Sequence, residues 1–404
     1  MIVTSTVAGG LWHDPATWSD GVVPTAADDA VILGEVHVDL SATGEIATCR
    51  HLTLDGAAVL RSEPNGVRTV IAHGDLHNEG AIRNGPDYAS YDGATLEVEV
   101  GGDLFQGGTL AVLVTRFIGT DPQRFELGDG VSLSGAFVDV DPSSPIVAAG
   151  PISVSSASLA LGGSAGRFDL GGHELTLTSG DLRVVDGALE VARITGVEGA
   201  TLTADRLVAD EDWIELGGDV RVAAVESIGT LTVVGSVRVL EGAALYNQSS
   251  SETTLDLAGS LVNEGIVRWG PGYAAYGPGT LTVLLDGDLT VGGPYTPTRT
   301  VFDGDVEQEL ATTGETTLTG LFYDSTPASA LVVSSDLAIA EAEFELGSEG
   351  TGGTLDFGGF SLAHSSGTLA VPFGTVLVDS ITGSTDSTAV FAVAAIAPPS
   401  GTLT

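Results

Sequence analysis

"RNGPDYASYDG" spans residues 83–93 and "RWGPGYAAYGPG" spans residues 268–279, so the chain writes nearly the same tyrosine-bearing loop twice, 185 residues apart. Working outward from these loops, residues 78–108 match residues 263–293 at 17 of 31 positions without a gap. The register continues through Phe117 with Phe302, Gln123 with Gln308, Leu133 with Leu318, Phe137 with Phe322 and Pro142 with Pro327. After a two-residue shift it resumes, with "FDLGGHELTLTSG" (168–180) echoed by "LDFGGFSLAHSSG" (355–367). The body is therefore a tandem duplication. It divides the chain into an N-terminal segment (1–28), a first block (29–211) and a second block with a C-terminal tail (212–404).

Both blocks read as strand and turn. "TLEVEV" (95–100), "HELTLTSG" (173–180) and "GSVRVLEG" (235–242) alternate apolar with polar residues, the period of a pleated strand with one buried face. Even "DLAIAEAEFELG" (336–347) places Leu337, Ile339, Phe344 and Leu346 at strand spacing. Short runs end in Gly, Asp or Asn, which tolerate the backbone angles of turns. Corners of one type, "HGDLHNEG" and "GGDLFQGG", stand 28 residues apart, and "AGSLVNEG" and "DGDLTVGG" repeat that spacing in the second block. Coils of this length cannot bury an apolar face alone, and stacking them makes one core. The expected fold is all-β, a parallel β-helix or β-solenoid, with two β-sandwich domains as the alternative.

Composition narrows the function. There are 54 acidic residues against 14 basic ones, every basic residue is arginine, and the formal net charge is −40. A chain of this size would ordinarily hold on the order of twenty lysines. Such self-repulsion is relieved where salt shortens the screening length to a few ångströms, which points to a protein adapted to brine. An ordinary acidic surface protein from a GC-rich organism is the other reading. No basic stripe is long enough to neutralise a nucleic-acid backbone, so nucleic acid is not an expected partner. The single cysteine, Cys49, has no pairing partner and reads as a small buried residue.

"GGLWHDPATWSDGVVPTAADDAVI" (9–32) and the following "LTLDGAAVL…GDLHNEGAI" (52–82) resemble the opening of eight-glycine-type extracellular β-helix domains and related solenoids of adhesins and phage appendages. The likeness covers about the first eighty residues and continues only in style. It implies a right-handed coil and a role at the surface of a cell or particle. The N-terminus, "MIVTSTVAGG", shows no basic segment followed by a long apolar one, and no apolar run of 18 residues occurs. The expectation from that reading is a protein that does not use the secretory route, hence a virion surface or tail component, with a cell-surface adhesin or envelope fibre as the alternative.

Candidate site residues follow from residue type. Tyr88, Tyr91, Tyr273 and Tyr276 are four of seven tyrosines, and they stand beside Arg83, Arg268 and Trp269. Aromatic faces with a guanidinium suit a protein interface or a sugar, while a self-packed excursion between coils accounts for them equally. Trp12 and Trp18 read as a cap over the first coil. His73, Asp75 and His77 alternate, which would place them on one strand face as a zinc set or as solvated groups. Asn78-Glu79-Gly80 and Asn263-Glu264-Gly265 read as corners. Acid pairs such as Asp28-Asp29 and Asp303-Asp305 would suit a glycosidase or a calcium site, but acids this numerous form pairs by chance. No catalytic motif is present, so the expectation is a non-enzymatic structural and attachment protein, with a polysaccharide-degrading β-helix as a further alternative. Expected partners are other structural proteins of the particle or envelope, a host-surface glycan or protein, and further copies of the chain. No cofactor or metal is expected.

Overall fold

A computed structural model of the chain describes residues 1–39, 46–63, 66–85, 94–163, 165–197, 200–223, 228–247, 252–269, 279–314, 316–325, 330–346, 353–364, 368–383 and 390–397. Among these residues the regular structure is β-strand, apart from one 3-10 turn at Pro15–Thr17. The strands pair in parallel, coil upon coil. A sandwich needs antiparallel sheets, so the chain is a β-solenoid.

Contacts divide it into two compact units, Met1–Val191 and Ala192–Thr404. The sequence boundary at 211/212 falls later, inside the continuous strand Thr201–Ala223. A repeat boundary inside a strand marks no break in packing, which is why contact and sequence part at different places.

In unit 1 the alternation becomes columns running through the coils. Ala30, Leu52, Leu76, Leu104, Phe125 and Ala148 stack in register, and all are buried. A second column holds Ala47, Val70, Val98, Thr115, Phe137 and Leu159. A third side is a five-stranded sheet of Gly10–Leu11, Glu35–Val38, Val59–Ser62, Ala81–Arg83 and Thr109–Ala111. Its inward residues are Val36, Leu60, Ile82 and Leu110.

Unit 2 repeats the plan. Leu231, Leu255, Val283, Thr300, Phe322 and Phe344 form one column, and Val220, Leu245, Val267 and Tyr295 form another. Strand Leu337–Leu346 buries Leu337, Ile339, Phe344 and Leu346, as their spacing predicts.

Corners are fixed by buried amides. Asn78 Nδ2 donates to Thr109 O at 2.9 Å and to Gln106 Oε1 at 3.0 Å, and Asn263 Nδ2 donates to Gly293 O and Pro294 O at 3.2 and 3.1 Å. The next corner uses glutamine. Gln123 Oε1 accepts the Gly119 N–H at 2.9 Å while its Nε2 donates to Val100 O at 3.0 Å, and Gln308 makes the same pair with Gly304 and Leu285 at 3.1 and 2.8 Å. These side chains satisfy backbone groups that leave the ladder where the chain turns. Gly80 is required by closeness: a Cβ there would fall 2.4 Å from the Ala58 carbonyl oxygen, and Gly265 faces Ala243 in the same way at 2.3 Å.

The N-terminal segment buries both tryptophans, at 0% and 2% exposure. Their rings meet edge to face with centroids 5.2 Å apart, and Trp18 Nε1 donates to Trp12 O at 2.8 Å. Asp14 caps the turn between them by accepting the Ala16 N–H at 2.9 Å. With both faces covered, neither ring is offered to a ligand.

Candidate functional site

Arg83 and Arg268 occupy equivalent rungs of an outward-facing column on the third side of their units. In unit 1 the column runs Leu11, His37, Arg61, Arg83 and Ala111. Their neighbours Val36, Leu60 and Ile82 point inward, so alternation turns this set outward. Adjacent rungs of a parallel ladder lie about 4.8 Å apart, where two like charges repel by roughly 3 kcal/mol at a dielectric of about 20. The sequence relieves this with acids. Arg61 pairs with Glu35, while His37 reaches Glu63 through Nδ1 and lies 3.0 Å from Glu35 Oε1 through Nε2.

In unit 2 the column runs Arg221, Tyr246, Arg268 and Thr296. An aromatic ring takes the place of a cation, and the two flanking guanidiniums close over it at 5.6 and 5.4 Å from its centroid. Arg221 Nε also donates to the Tyr246 hydroxyl at 3.3 Å, and the ring is 2% exposed. Each cation–π contact contributes about 0.5–2 kcal/mol and lets cations stack without intervening carboxylates. Trp269 follows Arg268 and is 50% exposed, anchored by its N–H donating to Thr296 O at 3.2 Å. Tyr88, Tyr91, Tyr273 and Tyr276 lie outside the described residues.

The two units thus hold their arginines differently. Unit 1 pairs them with acids, as in Arg50 with Asp29, Arg116 with Glu97 and Arg167 with Glu190. Unit 2 sets Arg238 over Trp213 at 5.3 Å and Arg299 over Tyr323 at 4.5 Å, alongside one ion pair, Arg193 with Glu215. Sequence reading finds Arg83, Arg268 and Trp269 but misses Tyr246, Trp213 and Tyr323. Their only signal is coil register, which varies along the chain.

The proposed strand face of His73, Asp75 and His77 does not form. The three straddle the corner at Gly74, between strands Gly66–Ala72 and Leu76–Asn78, so alternation cannot be counted across them. His73 Nε2 lies 3.1 Å from Thr48 Oγ1, Asp75 Oδ1 accepts the Asp103 N–H at 2.9 Å, and His77 stacks on Phe105 at 4.3 Å. Among the described residues no group of three or more His, Cys, Asp or Glu is arranged to hold a metal ion.

The acid pairs separate as well. Asp28 takes the N-terminal amine at 3.2 Å, and Asp29 receives Arg50 at 2.8 and 2.7 Å, which holds its carboxyl below the usual range. Asp303 is instead crowded by Asp286 and Asp256, and burial together with these neighbours raises it to about 6. Cys49 is buried, and desolvation pushes its thiol up to about 12, so it behaves as a small apolar residue.

Comparison of this chain with protein-family models, curated proteins and solved structures finds no match.

Proposed function

We propose that this β-solenoid is a structural and attachment component of a virus particle's outer surface, and that the arginine–aromatic column makes its contacts. One observation carries the reading: Arg83 and Arg268 recur on the same outward rung of both units, and the second is continued by a half-exposed tryptophan. Nothing in the coil interior requires an outward arginine, whereas Arg and Trp are the residue types that dominate protein contacts. On a chain with a net charge of −40, a stripe of cations and rings is a local exception suited to an acidic partner surface or a glycan. The partners proposed are neighbouring structural proteins, further copies of the chain, and a host-surface glycan or protein.

Peptide mass spectrometry on purified virus particles and on washed cell envelopes of the source culture tests the location. Many copies per particle support the proposal, and confinement to envelopes replaces it with a cell-surface adhesin. The contact role is read separately: Arg268→Ala with Trp269→Ala should abolish attachment while leaving circular dichroism unchanged. Attachment that survives the pair would remove the column from the contact. Release of reducing ends from host polysaccharide would instead establish a glycan-cleaving enzyme.

A further inference from the structure

Leu110 and Tyr295 hold the same place in the two units. Each is the inward residue of its strand, in register with Ile82 in unit 1 and with Val267 in unit 2. Thr115 and Thr300 correspond too: Thr115 stands between Val98 and Phe137, and Thr300 between Val283 and Phe322. In unit 2 the tyrosine closes this corner. Its ring lies 6.5 Å from Phe322, tilted by 24°, and its hydroxyl is 2.8 Å from Thr300 Oγ1. Burial drives the phenol above its ordinary range, so the hydroxyl keeps its proton and remains a hydrogen-bonding group.

In unit 1 leucine supplies neither ring nor hydroxyl. Thr115 is 1% exposed and its Oγ1 has no hydrogen-bond partner. A native interior rarely leaves such a group alone. Alongside runs a groove of about 310 Å³ between Thr109–Ala111 and residues 130–134, with Leu110, Leu133 and Phe137 among its walls and no ionisable residue in its lining. Gln106, the amide in that lining, is already committed to Gly108 O at 2.6 Å. The bounding loop is also held less: Thr316 Oγ1 donates to Gly292 O at 3.1 Å in unit 2, where unit 1 has Val131. Strand Thr109–Ala111 ends its sheet, paired only with Ala81–Arg83, so its other edge is open to a further strand.

We propose that this groove docks a tyrosine carried on an extended segment of a partner protein. The phenol enters beside Phe137 and hydrogen-bonds Thr115 Oγ1, as Tyr295 does Thr300 in the other unit. The duplicate supplies the chemistry of the occupant, and the open strand edge is the reason it is a polypeptide. The site is separate from the outward column, so either assignment can fail without the other.

The test titrates the full chain with N-acetyltyrosinamide and N-acetylphenylalaninamide by ligand-observed NMR. The tyrosine amide should bind about tenfold more tightly, the value of one hydrogen bond to a buried group. Thr115→Val should erase that preference while leaving the fold intact, and Leu110→Tyr should fill the groove from within and block both amides. Equal binding of the two amides to the native chain, absence of binding, or binding that survives Leu110→Tyr in a folded chain would overturn the proposal. Should Leu110→Tyr fail to fold, Thr115→Val carries the test alone.

Discussion

Asp139 ends strand Leu133–Asp139 at 3% exposure, with Oδ1 accepting the Asp141 N–H at 3.1 Å and Oδ2 left without a partner. It stands in register with Phe117 and lines a small internal cavity whose other walls include Phe125, Phe137 and Phe168. Desolvation there outweighs the Asp141 N–H and moves the carboxyl from 3.8 to about 6. Between those values the folded chain keeps a proton that the unfolded chain has released. Stability therefore falls as pH rises through that window and stays lower above it. The shift corresponds to about 3 kcal/mol.

Asparagine resembles the protonated acid, since it keeps an acceptor for Asp141 and presents a donor where the carboxyl proton would be. Asp139→Asn should match the native chain below pH 3.8 and exceed it by about 3 kcal/mol well above 6. Hydrogen exchange of peptides covering Leu133–Asp139 reads this locally, and comparing variant with native at each pH cancels intrinsic exchange rates. The expected result is exchange up to about a hundredfold slower in the variant at high pH, converging at low pH. A ratio flat across the titration, or a variant that exchanges faster at high pH, would refute the reasoning.

Tyr295→Phe should leave Thr300 Oγ1 unpaired in the core of unit 2 and cost about 1–2 kcal/mol in urea unfolding; a neutral result would mean that the hydroxyl pair adds nothing. Gly265→Ala should lower the melting temperature because its Cβ meets a backbone oxygen at 2.3 Å, whereas Gly56→Ala, with nothing nearer than 4.0 Å, should not. Removing molar salt should erase the β-sheet circular dichroism of a chain carrying a net charge of −40, and an unchanged spectrum in dilute buffer would count against adaptation to brine.

The solenoid was legible because two signals agreed. Alternation marked the strands, and the duplicated register tied Gln123 to Gln308 and Asn78 to Asn263 before either corner clamp was visible. Both signals are local or self-referential, so neither reports which residue of the next coil lies alongside. That is where sequence reading stopped. Arg61 is followed by a rung at Arg83 and Tyr246 by one at Arg268, but the coil below Arg61 starts at His37 and the one below Tyr246 at Arg221. The unequal spacing hides the cation–π stack. The misplacement of His73, Asp75 and His77 has a related cause, since strand alternation holds only until Gly74 turns the chain. Asp303 crowds with Asp286 and Asp256 rather than with nearby Asp305 because coils, not neighbours in sequence, bring carboxylates together.

The duplication also works as an internal control on function. Positions shared by both units and turned inward, such as the corner amides and the close-packed glycines, are accounted for by the coil itself. Arg83 and Arg268 are shared yet turned outward, where stacking makes no demand on residue type, and contact with something beyond the coil is the remaining reason to keep them. Positions that differ while turned inward form the third class. Leu110 and Tyr295 face the same core wall with different outcomes, one corner closed by a ring and a hydroxyl pair, the other leaving a threonine unpaired beside a groove. A scaffold that tolerates both has no structural need for the opening. The asymmetry is therefore informative about partners in a way that the shared residues cannot be, and Thr115, invisible as a site in the sequence, becomes the atom on which that question turns.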